Sequence, residues 1–151
     1  AVRGALLASV ADSYRALGHY AEAETLLREA IDQAIAGDPR LPAWQLQLGR
    51  VHNFQSRWTD AERELRRGLQ MAGGDPMLQA GLQRQLAVSL LNQERAADAE
   101  SAARTALAQL RAHPGAPTRD LVDTDQIYNN TTARVRQYKR SAWCSMENAK
   151  G

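Results

Sequence analysis

An internal repeat of 38 residues is the feature that most restricts how this chain can fold. Three segments align without a gap: GHYAEAETLLREAI, SRWTDAERELRRGL and ERAADAESAARTAL. Their central residues are Ala23, Ala61 and Ala99, each preceded by an acidic residue and followed by glutamate. Self-similarity at a fixed period marks architectures built from one repeated supersecondary unit. We therefore expect units that cannot bury their apolar faces alone and that stack on one another.

Each unit is predicted to be a pair of antiparallel helices. In the first unit, apolar residues recur at helical spacing from Leu6 to Leu17, Gly18 and His19 interrupt them, and the pattern resumes at Ala23. The corresponding patterns predict helices over 3–17, 20–36, 41–55, 59–72, 76–93 and 97–112. Asp38-Pro39 and Asp75-Pro76 are predicted N-caps with proline in the first turn. Gly37, Gly73 and Gly74 are predicted to mark the preceding helix ends.

Small residues recur where the two helices of a pair would cross. Small side chains let the helix backbones approach closely. The residues expected to meet there are Ala23, Ala61 and Ala99 on the second helices and Ala11, Gly49 and Ala87 on the first.

These units resemble tetratricopeptide repeats over about residues 1–112. The resemblance is carried by Val10-Ala11, Tyr14, Gly18 and Tyr20-Ala21-Glu22-Ala23, by Leu48-Gly49 and Trp58-Thr59-Asp60-Ala61, and more weakly by Leu86-Ala87 and Ala96-Ala97-Asp98-Ala99. It implies an all-α, right-handed superhelical solenoid of three repeats (3–37, 41–74 and 76–113) in a domain spanning 1–117. The family's usual period is about 34 residues. The longer period is similar to extended repeats in bacterial regulatory proteins, which implies that the chain is part of such a larger protein.

The resemblance also implies that the first helix of each pair lines a concave groove that binds a peptide or protein segment. Arginine forks suit carboxylates, and Asn and Gln amides suit a peptide backbone. The chain has no lysine before residue 118, so the two-lysine carboxylate clamp of some family members is not expected. The residues expected in the groove are Asp12, Arg15, Leu46, Gln47, Arg50, Asn53, Phe54, Arg84, Gln85, Val88, Leu91 and Asn92.

Residues 118–151 break the repeat pattern. Ile127, Thr131, Val135, Tyr138 and Ala142 share one helical face, which predicts a helix over about 125–143 that caps the last pair. The alternatives for residues 118–151 are a mobile tail and a fused segment.

The alternative to peptide binding is self-association through the end repeats or this helix. A weaker alternative is nucleic-acid contact through the basic run from Arg134 to Arg140.

The remaining sequence features favour a non-enzymatic binding module without cofactor or metal. Residues 1–117 contain 13 arginines and 13 acidic residues, so the net charge of +2 lies entirely in the tail. No His or Cys pairing has metal-ligand spacing. His52 occupies the repeat position of Tyr14 and Leu90, which favours a packing role.

The single cysteine, Cys144, fits a reducing compartment, and with no membrane-spanning run or signal pattern we expect a cytoplasmic location. Because the chain begins at Ala1, we expect a fragment or a processed product.

Overall fold

A computed structural model describes residues 2–151, and these residues form seven α-helices without a strand. The helices are Val2–Ala16 (α1), Tyr20–Gln33 (α2), Leu41–Phe54 (α3), Trp58–Met71 (α4), Pro76–Asn92 (α5), Ala96–Ala112 (α6) and Thr118–Lys150 (α7). The all-α class is therefore confirmed, and the first six predicted helices agree with the structure to within three residues at each end. No helix within residues 2–151 combines the length and the apolar character needed to cross a membrane.

Consecutive helices pack as pairs: α1 with α2, α3 with α4, and α5 with α6. Neighbouring pairs are joined by contacts of α2 with α3 and of α4 with α5, and the first helices α1, α3 and α5 also contact one another in order. Within residues 2–151, the second helices α2, α4 and α6 do not contact one another. The first helices therefore lie closer together than the second helices do. We call the surface of α1, α3, α5 and α7 on this side the inner face.

The turn inside each pair repeats in atomic detail. Gly18, Ser56 and Glu94 lie 38 residues apart and have φ of 84°, 59° and 62°. In each turn the N–H of the following residue donates to the carbonyl five residues before it, at 2.9 to 3.0 Å. This is the Schellman arrangement that ends a helix with one left-handed residue. The sequence shows the glycine only in the first unit, so the shared backbone geometry of the other two turns is a structural finding.

The small residues predicted at the helix crossings are buried. Those with no exposed surface are Ala11, Ala23, Ala61, Ala87 and Ala99. Gly49 is also buried, and a Cβ atom at this position would lie 2.5 Å from the Leu65 side chain. The packed core consists of one cluster between α1, α2 and α3 and a second between α4, α5 and α6. Close approach of the helices within a pair is therefore built into the sequence at these positions.

The predicted N-caps differ in outcome. Asp75 caps α5 as predicted, since its Oδ1 accepts hydrogen bonds from the backbone N–H groups of Met77 at 3.0 Å and Leu78 at 3.1 Å. The prediction for Asp38 is wrong, because α3 begins only at Leu41. Asp38 instead accepts from the backbone N–H of Arg40 at 2.9 Å and from its guanidinium at 2.7 Å. That pairing holds the pKa of Asp38 at about 2.

Helix α7 is longer than the capping helix predicted over about 125–143. Its first half packs on α6 and touches α5, as a first helix of a fourth pair would. Thr124 and Thr131 are fully buried there. Two residues predicted to share in this packing, Tyr138 and Ala142, are exposed. The reason is length: α6 has 17 residues and is about 25 Å long, whereas α7 has 33 residues and is about 50 Å long.

Candidate binding site on the inner face

Three arginines from successive first helices come together on the inner face. Arg15 of α1 pairs with Asp12 at 2.7 Å, and Arg84 of α5 pairs with Asp120 of α7 at 3.0 Å. Arg50 of α3 lies between them, close enough for both positive charges to act on it. Arg15, Arg50 and Arg84, which were all predicted for the groove, therefore lie close to one another.

Arg50 differs from its neighbours because no hydrogen bond or ion pair to its side chain is found within residues 2–151. Its Nε is buried and has no acceptor. Burial lowers the pKa of the Arg50 guanidinium, and the charges of Arg15 and Arg84 lower it further, while Asp12 and Asp120 partly oppose this. Arginine nevertheless keeps its proton at neutral pH. Arg50 is thus a partly desolvated cation that lacks a direct counter-charge.

A cavity of about 320 Å³ opens beside Arg50 between α3, α5 and α7. Three of its lining residues, Arg50, Arg84 and Gln85, were predicted for the groove. The α7 wall is not predicted from the sequence, which indicates only a capping helix over about 125–143. The signal for it is the spacing of Asp123, Gln126 and Asn130, which places three polar residues on one face of the helix. The residues of that wall are Asp123, Gln126, Ile127 and Asn130.

Several predicted groove residues instead hold the first helices together. Asn53 is buried, and its Nδ2 donates to the backbone oxygen and to Oε1 of Gln85, both at 3.1 Å. Its Oδ1 accepts from the hydroxyl of Ser89 at 2.8 Å. Leu46 and Leu91 pack against the second core cluster. The amide of Asn53 is therefore occupied within the fold, and the two leucines do not form open apolar pockets.

The other predicted groove residues do not line this cavity. The ring of Phe54, at the end of α3, stacks on the ring of Tyr20, at the start of α2, with centroids 5.2 Å apart. Asn92 is exposed and donates to the carbonyl of Val88 in its own helix at 2.8 Å. Val88 and Gln47 are half-buried, and Oε1 of Gln47 is buried without a hydrogen-bond partner. The polar centre of the face is consequently Arg50, Arg84 and the free amide nitrogen of Gln85.

His52 and Cys144, for which the sequence predicts no catalytic or metal-binding role, lie outside the cavity. His52 is fully buried, as its predicted packing role requires, and its Nε2 lies 3.2 Å from Oε1 of Glu24. Burial lowers the pKa of His52. Cys144 is a free, exposed thiol on α7. Among residues 2–151, no group of three or more His, Cys, Asp or Glu side chains is arranged to hold a metal ion.

Comparison of the chain with models of known protein families and with curated protein sequences gave no match.

Proposed function

We propose that this chain is a tetratricopeptide-like binding module whose inner face takes up an acidic peptide segment of a partner protein. The assignment is supported by the 38-residue repetition of helices, turns and small crossing residues. It is also supported by the closer approach of the first helices, which is the arrangement expected if these helices line a concave groove. A binding role of this kind needs no cofactor.

The observation that carries the proposal is the environment of Arg50. A guanidinium that is partly withdrawn from water, next to two further arginines, gains most from a carboxylate that can accept two hydrogen bonds from its fork. Arg15 and Arg84 are already paired with Asp12 and Asp120. An incoming carboxylate is therefore directed to Arg50, while Gln85 and Asn130 are placed to bind the backbone of the same segment.

The chemistry of the α7 wall limits the ligand. Asp123 carries a carboxylate into the cavity, and its partner Arg119 lies at 3.8 Å and is almost fully exposed. A uniformly acidic peptide would be repelled at this edge. We therefore expect the segment to place its carboxylate at Arg50 and an uncharged or basic residue near Asp123.

Calorimetric titration with synthetic peptides tests this function. The probes are an extended Asp-containing peptide, its Asn analogue and its Lys analogue. We expect the Asp peptide to bind, and Arg50→Gln to weaken its binding by about tenfold or more, since charge-assisted bidentate pairs are among the strong ones. Arg104→Gln is the matched control, because it removes an arginine from the exposed surface of α6.

Three results contradict the proposal: no binding of the Asp peptide, equal binding of the Asp and Lys peptides, or equal losses in Arg50→Gln and Arg104→Gln. Circular dichroism of both variants excludes unfolding as the cause of a loss. The double variant Arg50→Glu and Arg84→Glu gives a stronger test, because it reverses the charge of the face. We expect it to abolish binding of the Asp peptide while leaving helicity unchanged.

A further inference from the structure

Helix α1 carries an apolar stripe that the described residues leave uncovered. Val2, Leu6, Val10 and Tyr14 recur every four residues and share one helical face, and Leu17 follows directly after the end of α1. Their side chains are exposed, from 38% for Tyr14 to 74% for Val2 and Leu17. We call this surface the α1 stripe. An exposed apolar stripe along a whole helix of a small domain indicates a contact surface.

The repeat itself shows what covers this surface in the other pairs. Val10 is equivalent to Leu48 and Leu86, which are only 1% and 3% exposed. Leu86 and Leu90 line a groove together with Arg66 and Leu69 of α4, the second helix of the preceding pair. The equivalent groove at Val10 and Tyr14 has a volume of about 370 Å³, and no second helix among residues 2–151 packs beside it as α4 does beside Leu86. The α1 stripe is therefore shaped to receive one amphipathic helix.

The other end of the molecule provides a helix of this kind. Residues 135–150, here called the distal segment, extend α7 beyond the end of α6, and every residue from 136 onward is exposed. Val135, Tyr138, Ala142 and Met146 lie on one face of it. This face continues the one that Thr124 and Thr131 bury against the core. Tyr138 is 40% exposed and Met146 59% exposed.

Length and charge match the two surfaces. The α1 stripe and the distal segment each span about 22 Å at 1.5 Å per residue. The distal segment carries four cations and one acid, whereas α1 and α2 together carry three arginines and five acids. Two distal segments would repel each other, and so would two copies of the α1–α2 surface. Charge therefore favours contact between opposite ends of two copies.

We propose that the distal segment of one copy docks on the α1 stripe of a second copy, in the place that a preceding second helix would occupy. The contact is heterologous, so each copy keeps one free α1 stripe and one free distal segment and can add further copies. Association is head-to-tail. It depends on salt, because the distal segment is net positive and the α1–α2 surface is net negative. This association is independent of peptide binding on the inner face.

Sedimentation velocity over a range of protein and salt concentrations tests the proposal with full-length variants. Val10→Glu places a charge in the α1 stripe, and Met146→Glu places one in the distal stripe. Each should weaken association by about tenfold or more, because a buried unpaired charge is costly. Ser9→Glu and Asn148→Glu are matched controls. They add the same charge to exposed positions on other faces of the two helices and should leave association within about twofold of the wild type.

A mixing experiment identifies the partner surface. Val10→Glu retains a working distal segment and Met146→Glu retains a working α1 stripe, so an equimolar mixture should form a 1:1 dimer while each variant alone stays monomeric. The proposal is overturned if the wild type is a monomer at every concentration, or if Met146→Glu associates like the wild type. It is equally overturned if the mixture contains only monomers. Thermal unfolding of each variant shows that its fold is intact.

Discussion

Replacing Glu24 by glutamine should destabilise the fold at neutral pH, because Glu24 connects the first helix pair to the second. Its carboxylate accepts hydrogen bonds from Arg28 at 3.0 Å, from Arg57 at 2.8 Å and from Nε2 of His52 at 3.2 Å. Burial alone would raise the pKa of this group. The three hydrogen bonds outweigh burial and lower the pKa from 4.5 to about 2.

The size of the effect follows from this pKa. At 1.36 kcal/mol per pKa unit, the shift corresponds to about 3 kcal/mol in favour of the charged form. The Glu24 side chain is 15% exposed and that of Arg57 is 40% exposed, so water screens part of the interaction. A loss of roughly 2 kcal/mol for Glu24→Gln allows for this screening. In a chain of this length it corresponds to a decrease in Tm of about 4–8 °C.

The effect should also depend on pH in one direction. Because the folded pKa lies below the unfolded one, the stabilisation is complete above about pH 4.5 and is lost as the pH falls towards 2. The unfolding free energies of the wild type and Glu24→Gln should therefore differ at pH 7 and converge in acid. Urea unfolding followed by circular dichroism at several pH values measures both quantities.

The third repeat provides the control for this experiment. Glu100 occupies the same repeat position as Glu24, but the position equivalent to Arg57 is Ala133, and Glu100 forms its ion pair with Arg104 of its own helix. We expect Glu100→Gln to cost less than about 0.5 kcal/mol, the usual value of an exposed helical pair. Equal losses in the two variants, or a difference that persists at low pH, would refute the assignment of the effect to contacts between pairs.

Other positions give independent predictions. Ser56→Gly and Glu94→Gly should each raise the unfolding free energy by about 0.5–1 kcal/mol, since both residues adopt positive φ, which costs non-glycine residues about 1–2 kcal/mol; urea unfolding measures this. His52→Leu introduces the residue of the next repeat. Because burial lowers the pKa of His52, its folded form disfavours protonation, so the wild type should lose stability as the pH falls below about 6.5 and the variant should lose less. Gly49→Ala should overpack against Leu65 and lower Tm, at a cost of about 1–3 kcal/mol.

The helical repeat could be predicted because its determinants are local. Helical spacing, the interrupting residues and the small residues at crossings all lie within one 38-residue unit, and three copies of the pattern reinforce one another. The Asp38 cap failed for a local reason as well. Asp38 pairs with the guanidinium of Arg40, and the turn continues to Leu41, which a comparison with Asp75-Pro76 alone does not show.

The inner face could be predicted only in outline. Repeat position identifies which residues point away from the second helix, and it placed Arg15, Arg50 and Arg84 on one surface. It does not show which polar side chains bind each other across helices. Asn53 and the two oxygen atoms of Gln85 are therefore used within the fold, and only the amide nitrogen of Gln85 stays free. The contribution of α7 to the cavity depends on how a non-repeat segment packs.

Helix α7 shows how one register accounts for both ends of the stack. When the 38-residue register is extended, Thr124 occupies the position equivalent to Leu86. Thr124 is fully buried, so α7 takes the place of a first helix despite its different sequence. Asp125 occupies the position equivalent to Ala87 and pairs with Arg111 at 3.2 Å. It therefore places a charge where the three helix pairs have a small residue at the helix crossing. A charge at that point disfavours close packing of another second helix on α7. The α1 stripe has no such charge among its five residues. The two ends are therefore unequal: the α1 end is suited to accept a helix, whereas the α7 end is suited to supply one.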